Sequence, residues 1–315
     1  YELKFRGNYR NDKNNLLRRT IKMDNILEVI NLKKEFTDWS NHKESFCLNN
    51  ISFSVPKGYI MGFIGPNGSG KSTTIKLIMN LFKKDEGEIK IFGKDNVKFE
   101  KEIKEKIGFV YDENYYYENF TMKEIKKIIA PFYKYWDEET FQNYLERFDL
   151  KNTNKKIKAL SKGMKIKFSL AIALSHNADL IIMDEPTSGL DPVFRREILD
   201  ILLELIQNEN KSVFFSTHIT TDLEKIADYI TYINKGNIVF SKSKEEILDN
   251  YAIVKGDKNI LNTHLKEKFI GIKENAFGFE ALTDDVNEIQ NLFGDSILID
   301  SASLDDIMVF TSKNS

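Results

Sequence analysis

A single cysteine, Cys47, stands in 315 residues. A lone thiol excludes a disulfide framework and any cysteine-based metal cluster, and it suits a reducing compartment. Long apolar runs are missing as well: no stretch approaches the roughly 18 residues that a membrane-spanning helix needs. Tyr1 to Lys22 are polar and basic and lack the apolar segment of a signal peptide. They read as a leader or expression-derived segment, with Met23 as the true start, and carry no weight in the fold. An excess of either charge is lacking, the formal net being -2, which argues against a dedicated nucleic-acid binder. Internal repeats and low-complexity tracts are absent. His42, His176 and His264 share no spacing with carboxylates that suggests a metal site, and read as structural. The expectation is a soluble cytoplasmic protein of one large domain or two ordinary ones.

What the chain does have is one stretch of strong chemical meaning. Gly65-Pro66-Asn67-Gly68-Ser69-Gly70-Lys71-Ser72-Thr73 matches the phosphate-binding loop G-x-x-x-x-G-K-[ST] in full. It follows an apolar run, Tyr59–Ile64, that reads as a buried strand, and it opens a helical pattern at Thr74. The glycines let successive backbone N–H groups converge on anionic oxygens at a helix N-terminus. Lys71 supplies a mobile positive charge for β- and γ-phosphates, and the Ser72 hydroxyl is a ligand for Mg²⁺. The loop predicts nucleoside triphosphate binding.

Around it, short strands dominate from Ile26 to Phe92 (Ile26–Ile30, Ile51–Val55, Tyr59–Ile64, Gly87–Phe92). Lys101 to Gly108 reads as a connecting helix before a strand at Phe109–Tyr111. Helices are predicted at Met122–Ile129, Glu138–Phe148 and Gly163–Leu174. Strand and helix then alternate: Leu180–Met183, Phe194–Ile206, Val213–Ser216, Thr221–Ala227 and Tyr229–Ile233, with a turn into Ile238–Phe240. Such alternation about a phosphate loop means a parallel, helix-covered sheet, the α/β class. After Lys244 the texture changes, and Asp285–Leu292 and Ser303–Phe310 suggest a small α+β tail. Leu180–Glu185 is an apolar strand ending in two acids. Asp184 is placed to hold Mg²⁺ through water, and Glu185 to orient or deprotonate the attacking water.

Leu160-Ser161-Lys162-Gly163-Met164, Ser188-Gly189-Leu190-Asp191 and His218 follow in an order that resembles the ATP-binding cassette family. They stand where that family carries its signature, its D-loop and its switch histidine. The resemblance covers about Ile26 to Phe240. It implies a phosphate-loop NTPase core with a mostly parallel sheet, an N-terminal antiparallel β subdomain, a helical subdomain at about 112–176 and a cassette spanning 23–243. Residues 244–315 would form an accessory domain.

In two places this chain departs from the family pattern. Asp112, followed by Glu113, stands where a glutamine usually contacts Mg²⁺ and water, and Lys162 and Met164 replace glycine and glutamine in the signature. Lys162 either adds charge at the phosphate or is simply solvated. Phe36 takes the position of the adenine-stacking aromatic, with Trp39 and Phe46 as alternatives.

The resemblance further implies ATP hydrolysis in a head-to-tail homodimer, or with a paired cassette subunit. Ser161 and Gly163 of one subunit would complete the site of Lys71, Ser72, Asp184, Glu185 and His218 of the other, with Lys162 and Asp191 counted among the nucleotide-binding residues. A separately encoded membrane permease, with export as its direction, would receive the motion, placing the chain on the inner face of the membrane. Tyr115, Tyr116, Tyr117 and Phe120 form its expected docking patch, unless they pack inside the helical subdomain. The lysines from Lys155 to Lys167 read as a solvated face. Ribosome- and DNA-acting relatives of the family are disfavoured by the single phosphate loop, the lack of sustained heptads and the near-neutral charge; a sensing subunit is the remaining alternative.

Overall fold

The computed structural model describes residues 24–36, 46–112, 115–261 and 266–313. Trp39, His42, Glu113, His264 and the 1–22 segment lie outside the described residues. The chain runs β1 (Asn25–Glu35), β2 (Cys47–Pro56), β3 (Ile60–Ile64), α1 (Lys71–Ile78), β4 (Glu86–Ile91) and β5 (Lys94–Asp95). It continues through α2 (Glu100–Lys104), β6 (Ile107–Val110), α3 (Met122–Ile129), α4 (Glu138–Arg147) and α5 (Lys162–Leu174). Next come β7 (Leu180–Asp184), α6 (Pro192–Leu205), β8 (Ser212–Thr217), α7 (Thr220–Ile226), β9 (Tyr229–Asn234) and β10 (Asn237–Ser243). The tail holds α8 (Lys244–Asn250), β11 (Ala252–Gly256), β12 (Gly271–Glu274), β13 (Phe279–Thr283), α9 (Val286–Phe293), β14 (Ile297–Ser301) and α10 (Leu304–Lys313).

Six strands form the central sheet in the order β10-β9-β3-β8-β7-β6. β9, β3, β8, β7 and β6 pair in parallel, and β10 closes the edge antiparallel to β9. Every residue of β3, β7 and β8 is buried. The apolar runs at their centres, such as Val213–Phe215 and Leu180–Met183, fit a sheet covered on both faces. On one face Met61, Phe63, Ile182 and Phe214 pack with α1 and with Leu27, Val29 and Phe53 of the antiparallel sheet β2-β1-β4-β5. Phe53, Phe63 and Phe214 form a ring cluster there, with centroids 5.3 to 5.7 Å apart. On the other face Ile60, Ile64, Ile181, Met183, Val213 and Phe215 pack with α5, α6 and α7. Since successive side chains of a strand point to opposite faces, one apolar run serves both cores.

The expected helix from Lys101 to Gly108 ends early: α2 stops at Lys104 and β6 begins at Ile107. Strand pairing explains the difference: Ile107 to Val110 lie in parallel register with Leu180 to Met183 of β7, and α5 packs so closely there that a Cβ on Gly108 would lie 2.7 Å from the Ala173 carbonyl oxygen. His176, just past the end of α5, joins the same two elements. Its ring stacks on Tyr133 at 3.8 Å between centroids, with Nε2 3.0 Å from the Ile107 carbonyl oxygen and Nδ1 3.2 Å from that of Ile172.

Burial pushes the His176 pKa below its ordinary value, against the raising effect of the two carbonyls. With the folded pKa depressed, the unfolded chain binds more protons across the window just below about pH 6.5. Stability is therefore full above that pH and falls as the solution is acidified through the window. Replacing His176 with Phe should flatten this slope in melting curves taken from pH 7.5 to 5.5. An unchanged slope would assign it to other groups.

The tail is a four-stranded antiparallel sheet, β12-β13-β11-β14, with α9 over its own small core. It is not packed apart from the rest. Ile253, Leu282, Leu304, Ile307 and Phe310 belong to the same apolar cluster as Leu223 and Ile226 of α7. The Leu304 N–H donates to Glu224 Oε1 at 3.2 Å. Among the described residues, no helix is long and apolar enough to cross a membrane.

Candidate functional site

β3 ends at Ile64 and α1 begins at Lys71, so the phosphate loop bridges a buried strand and a helix N-terminus. Gly70 takes φ +112°, a left-handed conformation that glycine adopts without penalty, at the last position before the helix. The buried Lys71 ammonium donates to the carbonyls of Gly65 at 2.7 Å and Pro66 at 3.3 Å, and lies 3.2 Å from Glu185 Oε1. Ser69 Oγ is buried without a hydrogen-bond partner, and an anionic oxygen would satisfy it. Asn67, Gly68, Gly70, Lys71, Ser72, Thr73, Asp112, Glu185, Ser188 and His218 line one cleft of about 530 Å³ together with Phe46.

The acid pair closes the far wall. Asp184, the last residue of β7, is fully buried and accepts from Ser216 Oγ at 2.5 Å. Burial raises its pKa, while hydrogen bonds from Ser216 and Ser72 oppose the rise. Glu185 sits at φ +48°, where its N–H meets Ser216 O and Oγ, both at 3.1 Å. A non-glycine residue in this region is held there by its surroundings. The turn aims its carboxylate between Lys71 and His218, whose Nδ1 is 2.8 Å from Oε2. A carboxylate, an imidazole hydrogen-bonded to it and an ammonium thus converge on the mouth of the phosphate loop.

The oxygen donors present suit Mg²⁺. Ser72 and the buried Asp184 are already in contact, and Asp112 stands on the rim. No cluster of three or more His, Cys, Asp or Glu that could hold a metal forms among the described residues. Mg²⁺ is commonly held by one or two carboxylates plus substrate phosphates and water, so a fuller cage is not required.

Other expected site residues lie elsewhere. Ser161, Lys162, Gly163, Asp191 and Phe36 do not line this cleft. Ser161 caps α5 by accepting from the Met164 N–H at 3.2 Å, and Asp191 caps α6 through the Val193 and Phe194 N–H groups. Phe36 packs on Phe46 and edge-on to Phe82, whereas Phe46, one of the two alternatives to it from sequence, faces the cleft. Lys162 donates to Asp112 Oδ1 at 2.6 Å.

The aromatic tract divides. Tyr116 turns inward, edge-on to Phe168 and bonded to Ser169, and burial pushes its pKa to about 12. Tyr115, Tyr117 and Phe120 are exposed.

Sequence reasoning missed three polar residues behind the site. Asp222, wholly buried in α7, accepts from Thr187 Oγ1 and from Arg195 Nε, each at 2.7 Å. It ties the segment after Glu185 to the helix after His218. Only the four-residue spacing from His218 could have drawn attention to it, and that spacing is unspecific.

The chain is similar to known proteins in sequence and in fold. The model of the family described as "ABC transporter" matches residues 48–188. The bacitracin transport ATP-binding protein of Bacillus licheniformis is 32% identical over 218 residues, 69% of this chain and 69% of its own length. The lantibiotic transport ATP-binding protein of Streptococcus pyogenes is 32% identical over 235 residues, 72% of this chain and 98% of its own. Among solved structures, an ATP-binding subunit of an ABC transporter superposes with TM-score 0.60 at 27% identity, covering 71% of this chain and 92% of that one. A dimeric cassette in a post-hydrolysis state with ADP and phosphate has TM-score 0.61 at 24% identity, covering 69% and 98%, a likeness of fold.

Proposed function

Since the chain belongs to the ABC transporter family, as an ATP-binding subunit that hydrolyses ATP, we propose that two copies clasp two ATP molecules head to tail. The observation that carries this reading is the composition of the cleft. It gathers Lys71, Ser72, Asp112, Glu185 and His218 but neither Ser161 nor Gly163. Those two would complete the partner's cleft, Ser161 through its hydroxyl and Gly163 through its N–H at the start of α5.

Within a cleft, Lys71 and the loop N–H groups would bind the β- and γ-phosphates, and Phe46, with Phe36 behind it, would stack on adenine. Ser72, Asp112 and, through water, Asp184 are the groups that would hold Mg²⁺, which when bound neutralises charge on the β- and γ-phosphate oxygens. Glu185 would take the proton from the attacking water, while His218 keeps Glu185 aligned and reaches the γ-phosphate. Such catalysis is positioning and electrostatics on a preformed scaffold.

The output of the cycle would be dimer closing and opening, passed to a separate membrane permease that holds the chain at the inner face of the membrane. By likeness to the bacitracin and lantibiotic relatives, the cargo class is an exported antimicrobial peptide. Residues 23–243 would be the cassette and 244–315 an accessory unit braced against α7. The docking surface for the permease is the outward part of the aromatic tract, in which Tyr117 is 74% exposed. Tyrosine and phenylalanine are favoured at interface anchors.

The test is to capture the chain from its own membranes and identify what accompanies it. A polytopic membrane protein is expected, and a Tyr117→Ser, Phe120→Ser chain should lose it and lose transport while its purified ATPase rate stays within about twofold. Recovery with ribosomes or DNA would overturn the reading.

A further inference from the structure

Asp112 and Lys162 are fifty positions apart in the chain, yet the Lys162 ammonium donates to Asp112 Oδ1 at 2.6 Å. Asp112 lies two residues beyond β6 and lines the phosphate cleft, and Lys162 opens α5 beside its cap Ser161. This ion pair therefore joins the rim of the chain's own cleft to the helix end that would serve the partner's cleft. Both side chains are partly exposed, 46% for Lys162 and 37% for Asp112. An exposed pair is weak and exchangeable. Each member also has a stronger alternative. A carboxylate prefers a divalent ion to a single ammonium, and an ammonium prefers a γ-phosphate to a single carboxylate.

We propose that Lys162 is a positioning residue whose ammonium Asp112 retains in its own chain until Asp112 turns to Mg²⁺, which frees Lys162 for the γ-phosphate in the partner's cleft. Loading of one cleft thereby primes the helix end that completes the other, and the two sites are coupled through the exchange. This rests on the head-to-tail reading above.

The test is a double-mutant cycle read as dimer dissociation constants by sedimentation velocity. All chains carry Glu185→Gln, with saturating ATP, in EDTA and then in Mg²⁺. Under EDTA the pair stays closed, so Asp112→Asn should tighten the dimer about two- to five-fold, the range expected of an exposed ion pair. The same substitution should do nothing in a Lys162→Met background, and Lys162→Arg should restore its effect. Mg²⁺ should tighten the dimer of the parent more than that of Asp112→Asn.

Equal gains from Asp112→Asn in both backgrounds would mean simple relief of carboxylate–phosphate repulsion and would overturn the proposal. So would the absence of any gain. A chain that forms no ATP-dependent dimer under either condition would overturn the head-to-tail reading itself, and the coupling with it.

Discussion

A Glu185→Gln chain will bind ATP and hydrolyse it about 10²–10⁴-fold more slowly, the range by which a positioned general base accelerates a reaction. It will accumulate as an ATP-held dimer. Glutamine keeps the shape and length of the side chain but cannot take up a proton. The backbone at position 185 is fixed from outside the side chain, by the two contacts of its N–H with Ser216. The amide should therefore occupy the carboxylate's place and leave the cleft intact. His218, now 2.8 Å from the carboxylate, retains an oxygen to face. Phosphate release measured beside sedimentation separates the two expectations. Turnover near that of the parent chain would place the base elsewhere.

The second large effect is expected at Asp222, a residue that touches no ligand in the proposed site. Its carboxylate takes one hydrogen bond from Thr187 and one from Arg195, whose guanidinium also reaches Thr221 Oγ1 at 2.9 Å. Alanine there strands a charge and a hydroxyl in the interior. Breaking a buried pair by removing one member costs about 3–5 kcal/mol. With the Arg195 side chain 26% exposed to water, about 2–3 kcal/mol is the expected loss here. For a chain of this size that lowers the melting temperature by roughly 3–5 °C. Asp222→Asn keeps an acceptor oxygen and should lose less. Urea unfolding of the two variants decides the matter; equal stability of alanine and parent would show that the network contributes nothing.

The same network predicts a functional signature below the melting temperature. Thr187 lies two residues beyond Glu185, and α7 starts two residues beyond His218. Loosening Asp222 should lower kcat while leaving the affinity for ATP nearly unchanged.

The legibility of this protein followed the range of the interactions concerned. The phosphate loop, the strand that ends at Asp184 just before Glu185, and α3 at Met122–Ile129 were readable because each is fixed by neighbours along the chain. The junction of α2 and β6 was not, since it depends on the pairing of Ile107 to Val110 with β7, more than seventy residues away. The aromatic tract gave a correct composition but no direction. Phe168, distant in sequence, draws Tyr116 inward and leaves Tyr117 facing out.

By itself the sequence determined that this chain holds a nucleoside triphosphate, through which loop, and on an α/β core. Those properties depend on backbone conformations and apolar periodicities encoded over a few residues at a time. The tertiary structure alone decided that Phe46 rather than Phe36 faces the cleft, that Asp112 and Lys162 meet, that Asp222 ties α7 to Thr187 and to Arg195 of α6, and that the tail is braced on α7. Each of these is a contact between segments tens of residues apart or more. Which partner a side chain finds there is set by how the sheets and helices stack, and a local pattern does not carry that information.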